Sequence, residues 1–255
     1  MNEVNDILLI EDYTNRDITI DSNKSLLIKV QTQKETEISL NFTIKNDVDF
    51  RCLIFNDSNN KLTINDNYHI GENSKVVIAY SLLNDAEVIC NSAYYLDGIY
   101  SDLHVLSAII GNCSKKLNQF THHYANNSKA LIDNYGVLLQ NGQCNMVVKN
   151  KIYKDITNCN TRQNNRLLNF SDNAKGKILP ILYIDNNEVA ASHGCSIGQV
   201  DQQQIFYLTS RGLSYSDAVK LITLGYLLPV TEIIDNQEVN QLLKAEIEKK
   251  VDLSC

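Results

Sequence analysis

The stretch Ile38-Ser39-Leu40-Asn41-Phe42-Thr43-Ile44 alternates apolar and polar side chains without a break. Successive side chains of a strand point to opposite faces, so strict alternation marks a strand with one buried face. Working outward, Ile18 and Ile20, Ile28 and Val30, Cys52 and Ile54, and Leu62 and Ile64 repeat the pattern. Between them lie Asp21-Ser22-Asn23, Asn46-Asp47, Asn56-Asp57-Ser58-Asn59-Asn60 and Gly71-Glu72-Asn73-Ser74. These residues tolerate left-handed backbone or bond to it with their side chains, and so punctuate strands. From residue 17 to roughly 190 the chain reads as short strands with no convincing amphipathic helix among them. Many short strands admit a sandwich, a barrel or a β-helix. Short strands, Asn-rich turns and helices gathered at one end favour the β-helix. No single repeat length emerges, so the pattern alone leaves the sandwich open.

The last quarter changes character. Asp201 is placed to cap a helix containing Ile205, Phe206 and Leu208, with Gly212 as its stop. Ser214-Tyr215-Ser216-Asp217 has capping-box spacing ahead of Ala218, Leu221 and Ile222, and Gly225 is the next expected stop. Asp235-Asn236-Gln237-Glu238 opens a third helix carrying Val239, Leu242, Leu243 and Ile247 on one face. Three short helices cannot bury their faces alone and must pack on the strands or on another protein. The reading divides the chain into a β core over residues 1–200 and a helical domain over 201–255.

Bulk properties exclude several classes. A net charge of −7 over 255 residues leaves no broad basic surface for nucleic acid. No apolar run is long enough to span a bilayer. The opening MNEVNDILLIED is acidic with a very short apolar run, unlike a secretory signal, and a cytoplasmic location is expected. Cys52, Cys90, Cys113, Cys144, Cys159, Cys195 and Cys255 form no CxxC pair, so most are expected to be small buried hydrophobes. No phosphate loop, dinucleotide fingerprint, GxSxG or HExxH occurs, and no enzymatic activity is expected. A polysaccharide-acting β-helix would need grouped carboxylates, yet no motif groups Asp102, Asp133 and Asp155.

Among the histidines, His122 and His123 are adjacent and would face opposite sides of a strand, one buried and one exposed. His69 and His104 read as structural or surface residues. His193 differs. It follows the strand-like Val189-Ala190-Ala191-Ser192 and precedes Gly194-Cys195-Ser196-Ile197-Gly198. In an extended segment His193 and Cys195 share a face, offering a nitrogen and a sulfur donor to a metal.

The segment from Ala191 to Leu213, with His193-Gly194, then Asp201, then Phe206-Tyr207-Leu208…Ser210-Arg211-Gly212, resembles the signature of the SufB/SufD family. Ala218 and Gly225-Tyr226 continue it. Upstream, Leu167-Leu168, Ser171-Asp172-Asn173-Ala174, Pro180 and Leu182 are similar to the run preceding that signature. The resemblance is strong over residues 118–228. Gly194 stands where the SufB branch usually has glutamate. Gln163-Asn164-Asn165-Arg166 occupies a stretch where that branch carries a cysteine, so the SufD-like branch fits better. The resemblance implies a right-handed parallel β-helix with a small C-terminal helical domain, serving as a non-catalytic scaffold subunit in iron–sulfur cluster assembly. It implies pairing with a SufB-like subunit, or with a second copy, through the β-helix. A SufC-like ATPase would dock on Asp201 to Gly225, including Phe206, Tyr207, Arg211, Gly212 and Ala218. His193, with Cys195 beside it, would meet iron or a nascent cluster at the subunit interface, with nothing bound stably by the chain alone. A stand-alone SufB-like cluster scaffold is the alternative within the family.

Overall fold

The computed structural model of the chain describes residues 6–231 and 237–252. Its strands alternate between two sheets. The odd ones, β1 (Asp6–Ile10), β3 (Lys24–Val30), β5 (Asp49–Asn56), β7 (Lys75–Leu82), β9 (Asp102–Gly111), β11 (Lys129–Leu138), β13 (Asn160–Asn169) and β15 (Ala190–Gln199), stand in that order in an eight-stranded sheet. The even ones, β2 (Thr14–Ile20), β4 (Thr36–Ile44), β6 (Leu62–Ile70), β8 (Val88–Leu96), β10 (Ser114–His123), β12 (Gln143–Ile152) and β14 (Lys175–Ile184), form a seven-stranded sheet. Neighbours pair in parallel throughout, for example β4 with β6 and β11 with β13. A chain that visits two parallel sheets in turn is a solenoid, so the β-helix holds and the sandwich does not.

The alternation in β4 does what its pattern predicts: Ile38, Leu40, Phe42 and Ile44 are buried and point into the lumen between the sheets. Parallel register then places like on like. Phe42 stacks on Tyr68 with ring centroids 4.7 Å apart, and Tyr68 on Tyr94 at 5.6 Å. Each such buried ring or branched side chain contributes roughly 2 kcal/mol of hydrophobic stabilisation.

The corners explain the asparagines. Asp47, Asn73, Tyr100, Asn127 and Asn158 each hold a positive φ, between 54° and 59°, shortly before an odd strand. Asp and Asn tolerate this left-handed backbone better than most residues. Each corner N–H donates to the next turn, as from Asn73 to the Ile99 carbonyl at 2.8 Å and from Asn158 to Glu188 at 2.8 Å. The turns also grow along the chain. Asp6 sits beside Leu26, Thr36 beside Leu62 and Lys129 beside Asn160, so the later turns are longer than the first. That drift is why no fixed period can be read from the sequence.

Three helices follow: α1 (Gln202–Ser210), α2 (Tyr215–Thr231) and α3 (Gln237–Asp252). They fold back onto the outer face of the eight-stranded sheet, where Ala218, Val219, Leu227, Leu243 and Ile247 bury Leu53, Phe55, Leu106, Ile110 and Val137. The caps of the first two are as read: Asp201 accepts from the Gln203 N–H at 2.8 Å, and Ser214 and Asp217 bond reciprocally. Gly212 has a φ of 96° just beyond α1. Gly225 is a correction. It does not stop α2, which runs on to Thr231. Val219, Thr223 and Leu227 recur every four residues on the buried face, and that packing outweighs the roughly 1 kcal/mol cost of an interior glycine. The expected cap at Asp235-Asn236, the side chains of Val239 and Leu242, and Cys255 lie outside the described residues. Among the described residues no helix is long and apolar enough to cross a membrane.

A carboxyl group sits in the lumen. The Asp66 Oδ2 accepts from the Tyr80 hydroxyl at 2.6 Å and the Tyr68 hydroxyl at 2.9 Å. Its Oδ1 is buried without a partner among the described residues. Burial pushes its carboxyl up to about 6, against the hydrogen bonds from Ser92, Tyr80 and Tyr68 that pull it down. A raised carboxyl holds its proton more tightly folded than unfolded. Its contribution is therefore complete at acid pH and is lost as pH rises from about 4 through about 6. Asp66→Asn should gain stability relative to the native chain across that window, by a few kcal/mol. Denaturant midpoints from pH 4 to 7 would check this, and parallel curves would exclude an ionisable lumen.

At Gly98 the stacking leaves no room for a side chain: a Cβ there would lie 2.0 Å from the Glu72 nitrogen. Gly98→Ala must separate two corners and should lower stability by about 2 kcal/mol or more. Urea unfolding reads the loss, and a neutral substitution would show that the corners are not in contact.

Candidate functional site

β15 is the last strand of the eight-stranded sheet and pairs on one side only, with β13. All ten of its residues are exposed. Strand β14 ends the facing sheet, with Ile178, Pro180 and Leu182 half-buried. The lumen is thus open at this end, and a row of backbone groups on β15 has no partner among the described residues. Exposed Ile197 lies on the lumen side of β15, whereas exposed Leu179 and Tyr183 lie on the outer face of β14.

Register decides which β15 side chains face inward. His193 lies beside Gln163 and Cys195 beside Asn165. Gln163 and Asn165 are fully buried lumen residues, and parallel partners share a face, so His193 and Cys195 occupy the lumen face of the last turn. Their Cα atoms are separated by about 6.6 Å, two residues of extended chain. The alternation argument therefore brings these two together as expected. Gly194 points outward, where a Cβ would meet nothing closer than Asn164 Oδ1 at 3.8 Å. No three His, Cys, Asp or Glu side chains among the described residues gather as a metal site. The open end thus presents one imidazole and one thiol on its lumen face.

Beneath it lie groups that the sequence reading valued only for lacking a cysteine. The Gln163 Nε2 donates to the Ile181 carbonyl at 3.2 Å, and its Oε1 is buried without a partner among the described residues. The Asn165 Oδ1 accepts from Asn134 Nδ2 at 2.8 Å, and its own Nδ2 is likewise unpartnered among them. On a strand, polar residues at alternate positions read as the solvent face, so only the register exposes them as lumen residues.

The other candidates have structural partners. His123 is buried with Nδ1 2.8 Å from the Ser128 Oγ. Burial pushes its imidazole down to about 4, so it stays neutral at neutral pH. His122 is half-buried on the opposite face and stacks on Tyr95 at 5.1 Å. His69 bonds Asp97 at 2.7 Å and His104 bonds Asp133 at 2.8 Å. Burial raises the Asp133 carboxyl, but the His104 and Asn164 hydrogen bonds hold it below its ordinary value. Asp102, Asp133 and Asp155 belong to no grouping of metal-binding type among the described residues. Cys52, Cys90, Cys144 and Cys159 are buried free thiols, Cys113 is half-buried, and Cys195 is exposed.

The helical segment presents a second surface. Phe206 and Tyr207 on α1, and Tyr215 and Leu221 on α2, are exposed apolar side chains. The Arg211 guanidinium lies 5.2 Å from the Tyr207 ring centroid. A shallow cleft of about 390 Å³ is lined by Asp201, Gln203, Gln204, Tyr207 and Leu208. Gly225 is exposed on α2, whereas Ala218 is fully buried and seats that helix on the sheet.

Comparison with known proteins adds the family. A model described as SUF system FeS cluster assembly, SufBD core domain, matches residues 8–226. The iron–sulfur cluster assembly protein SufD of Bacillus subtilis (strain 168) is 32% identical over 183 residues, covering 71% of this chain and 42% of that protein. SufBD family iron–sulfur cluster assembly proteins of Staphylococcus aureus, from strains USA300 and NCTC 8325, are 26% identical over 127 residues, 49% of this chain and 26% of theirs. The chain spans less than half the length of these relatives. With the family match running from the first strand through most of α2, the chain belongs to the SufBD core family of the SUF iron–sulfur cluster assembly system and is SufD-like within it.

Proposed function

We propose that the chain is a scaffold subunit of a SUF assembly complex, without turnover of its own. It pairs through the open end of its solenoid with a SufB-like subunit and carries a SufC-like ATPase on α1 and α2. Iron, or a cluster under construction, is the cargo of the paired end. The observation that carries this reading is β15, exposed along its whole length with His193 and Cys195 on its lumen face. An unpaired strand edge is a template for a strand of another chain. A neutral imidazole suits iron as a borderline ligand and a thiolate as a soft one, and two donors leave coordination positions for the partner to fill.

Ile197 is 48% exposed on the lumen face, so a charge is tolerated there until the end is covered. Ile197→Asp should leave the unfolding of the single chain nearly unchanged and weaken pairing with the SufB-like subunit about 100-fold or more. Isothermal titration reads both partners directly, and wild-type affinity would place the interface elsewhere.

Removing the helices would bare the apolar outer face of the eight-stranded sheet, so the ATPase contact is better probed by single substitutions. Phe206→Ala and Tyr207→Ala should each cost about 2 kcal/mol in ATPase binding, as central aromatic anchors do, with circular dichroism unchanged. Undiminished binding by both variants would move the ATPase off α1.

A further inference from the structure

We infer that Gln163 and Asn165 are positioning residues for His193 and Cys195: the Gln163 Oε1 takes the free ring N–H of His193, and the Asn165 Nδ2 donates to the Cys195 sulfur, when these side chains hold a transition-metal cation. This rests on the reading of the open end as the cargo end, and adds to it the two amides that would orient the donors.

The structure turns both amides toward the network below them, and for Gln163 the orientation follows from its partner. The Ile181 carbonyl can only accept, so Gln163 must turn its Nε2 toward it and its Oε1 away. Asn134 Nδ2 donates at once to Gln119 Oε1 at 2.7 Å and to Asn165 Oδ1 at 2.8 Å, and Gln119 Nε2 donates in turn to Ser107. Asn134 thus donates to the neighbours on both sides, and an N–H of Asn165 is left over. Both leftover atoms, Gln163 Oε1 and Asn165 Nδ2, are buried without a partner among the described residues. A buried group left in this way forgoes a hydrogen bond inside the protein, and a partner arriving at the open end would restore it. The next turn toward the opening places His193 beside the acceptor and Cys195 beside the donor. The match is chemically ordered. A metal-bound imidazole has one N–H left to give, and an acceptor fixes its tautomer and ring plane. A metal-bound thiolate accepts hydrogen bonds, and an amide N–H supplies one.

The test uses the full chain without partner and Co²⁺ as the probe, followed under anaerobic conditions by its thiolate-to-metal charge-transfer band. Gln163→Met and Asn165→Leu should each weaken Co²⁺ binding about tenfold. The Gln163→Met loss should vanish in a His193→Ala background, and the Asn165→Leu loss in a Cys195→Ser background. Thermal unfolding identifies any variant that loosens the lumen generally. Wild-type affinity in both single variants, or equal losses in all backgrounds, overturns the inference. A chain that gives no thiolate band at all overturns it too, yet leaves the pairing measured with Ile197→Asp standing.

Discussion

Parallel, in-register stacking is the constraint from which the rest of this molecule follows. Every ladder hydrogen bond joins one turn of the solenoid to the next, so each residue stands beside the residue one turn away and inherits its face. Apolar side chains become the Phe42–Tyr68–Tyr94 stack. Polar ones on the outer face become ladders such as Asn65–Asn91–Asn118, linked at 2.8 Å. The same rule carries Gln163 to His193 and Asn165 to Cys195. The site is not assembled by loops brought together from a distance. It is the place where the stack runs out.

The lumen changes chemistry along its axis. In the early turns it is filled by Ile38, Leu40, Phe42, Leu62 and Ile64. Nearer the open end, Gln119, Asn134, Asn150, Thr161 and Asn165, all fully or almost fully buried, share the lumen with Ile132, Met146, Val148 and Leu167. Buried amides contribute little net stability and are costly where a bond is missing. An apolar lumen would hold the turns together at least as well, so stability alone does not account for this composition. It accords with an end that must offer directed hydrogen bonds rather than a greasy plug.

Much of the fold was legible before any coordinates. Alternation over Ile38–Ile44, turns rich in Asn and Asp, and the caps at Asp201 and Ser214 all report local physics, which short stretches of sequence carry. The repeat length was hidden because the turns lengthen between the Asp6–Leu26 pair and the Lys129–Asn160 pair. Gly225 misled because a glycine ends a helix only where burial does not pull the chain onward. His193 and Cys195 could be placed on one face from spacing alone. Gln163 and Asn165 could not, because a polar residue on a strand gives no sign of which face it takes when its apolar counterparts are missing.

The single-sided pairing of β15 also bears on time. In a one-dimensional stack each interior strand is held by two neighbours within its sheet, but the last is held by one. Local opening should therefore be more frequent at β15, as at the other end strands β1, β2 and β14, than in the turns between them. Under the proposed function, cargo held on such a strand would be released by fraying of a single strand, without disturbance to the body of the molecule. A closing partner would then act as a clamp on a motion already present, setting residence time rather than creating the grip.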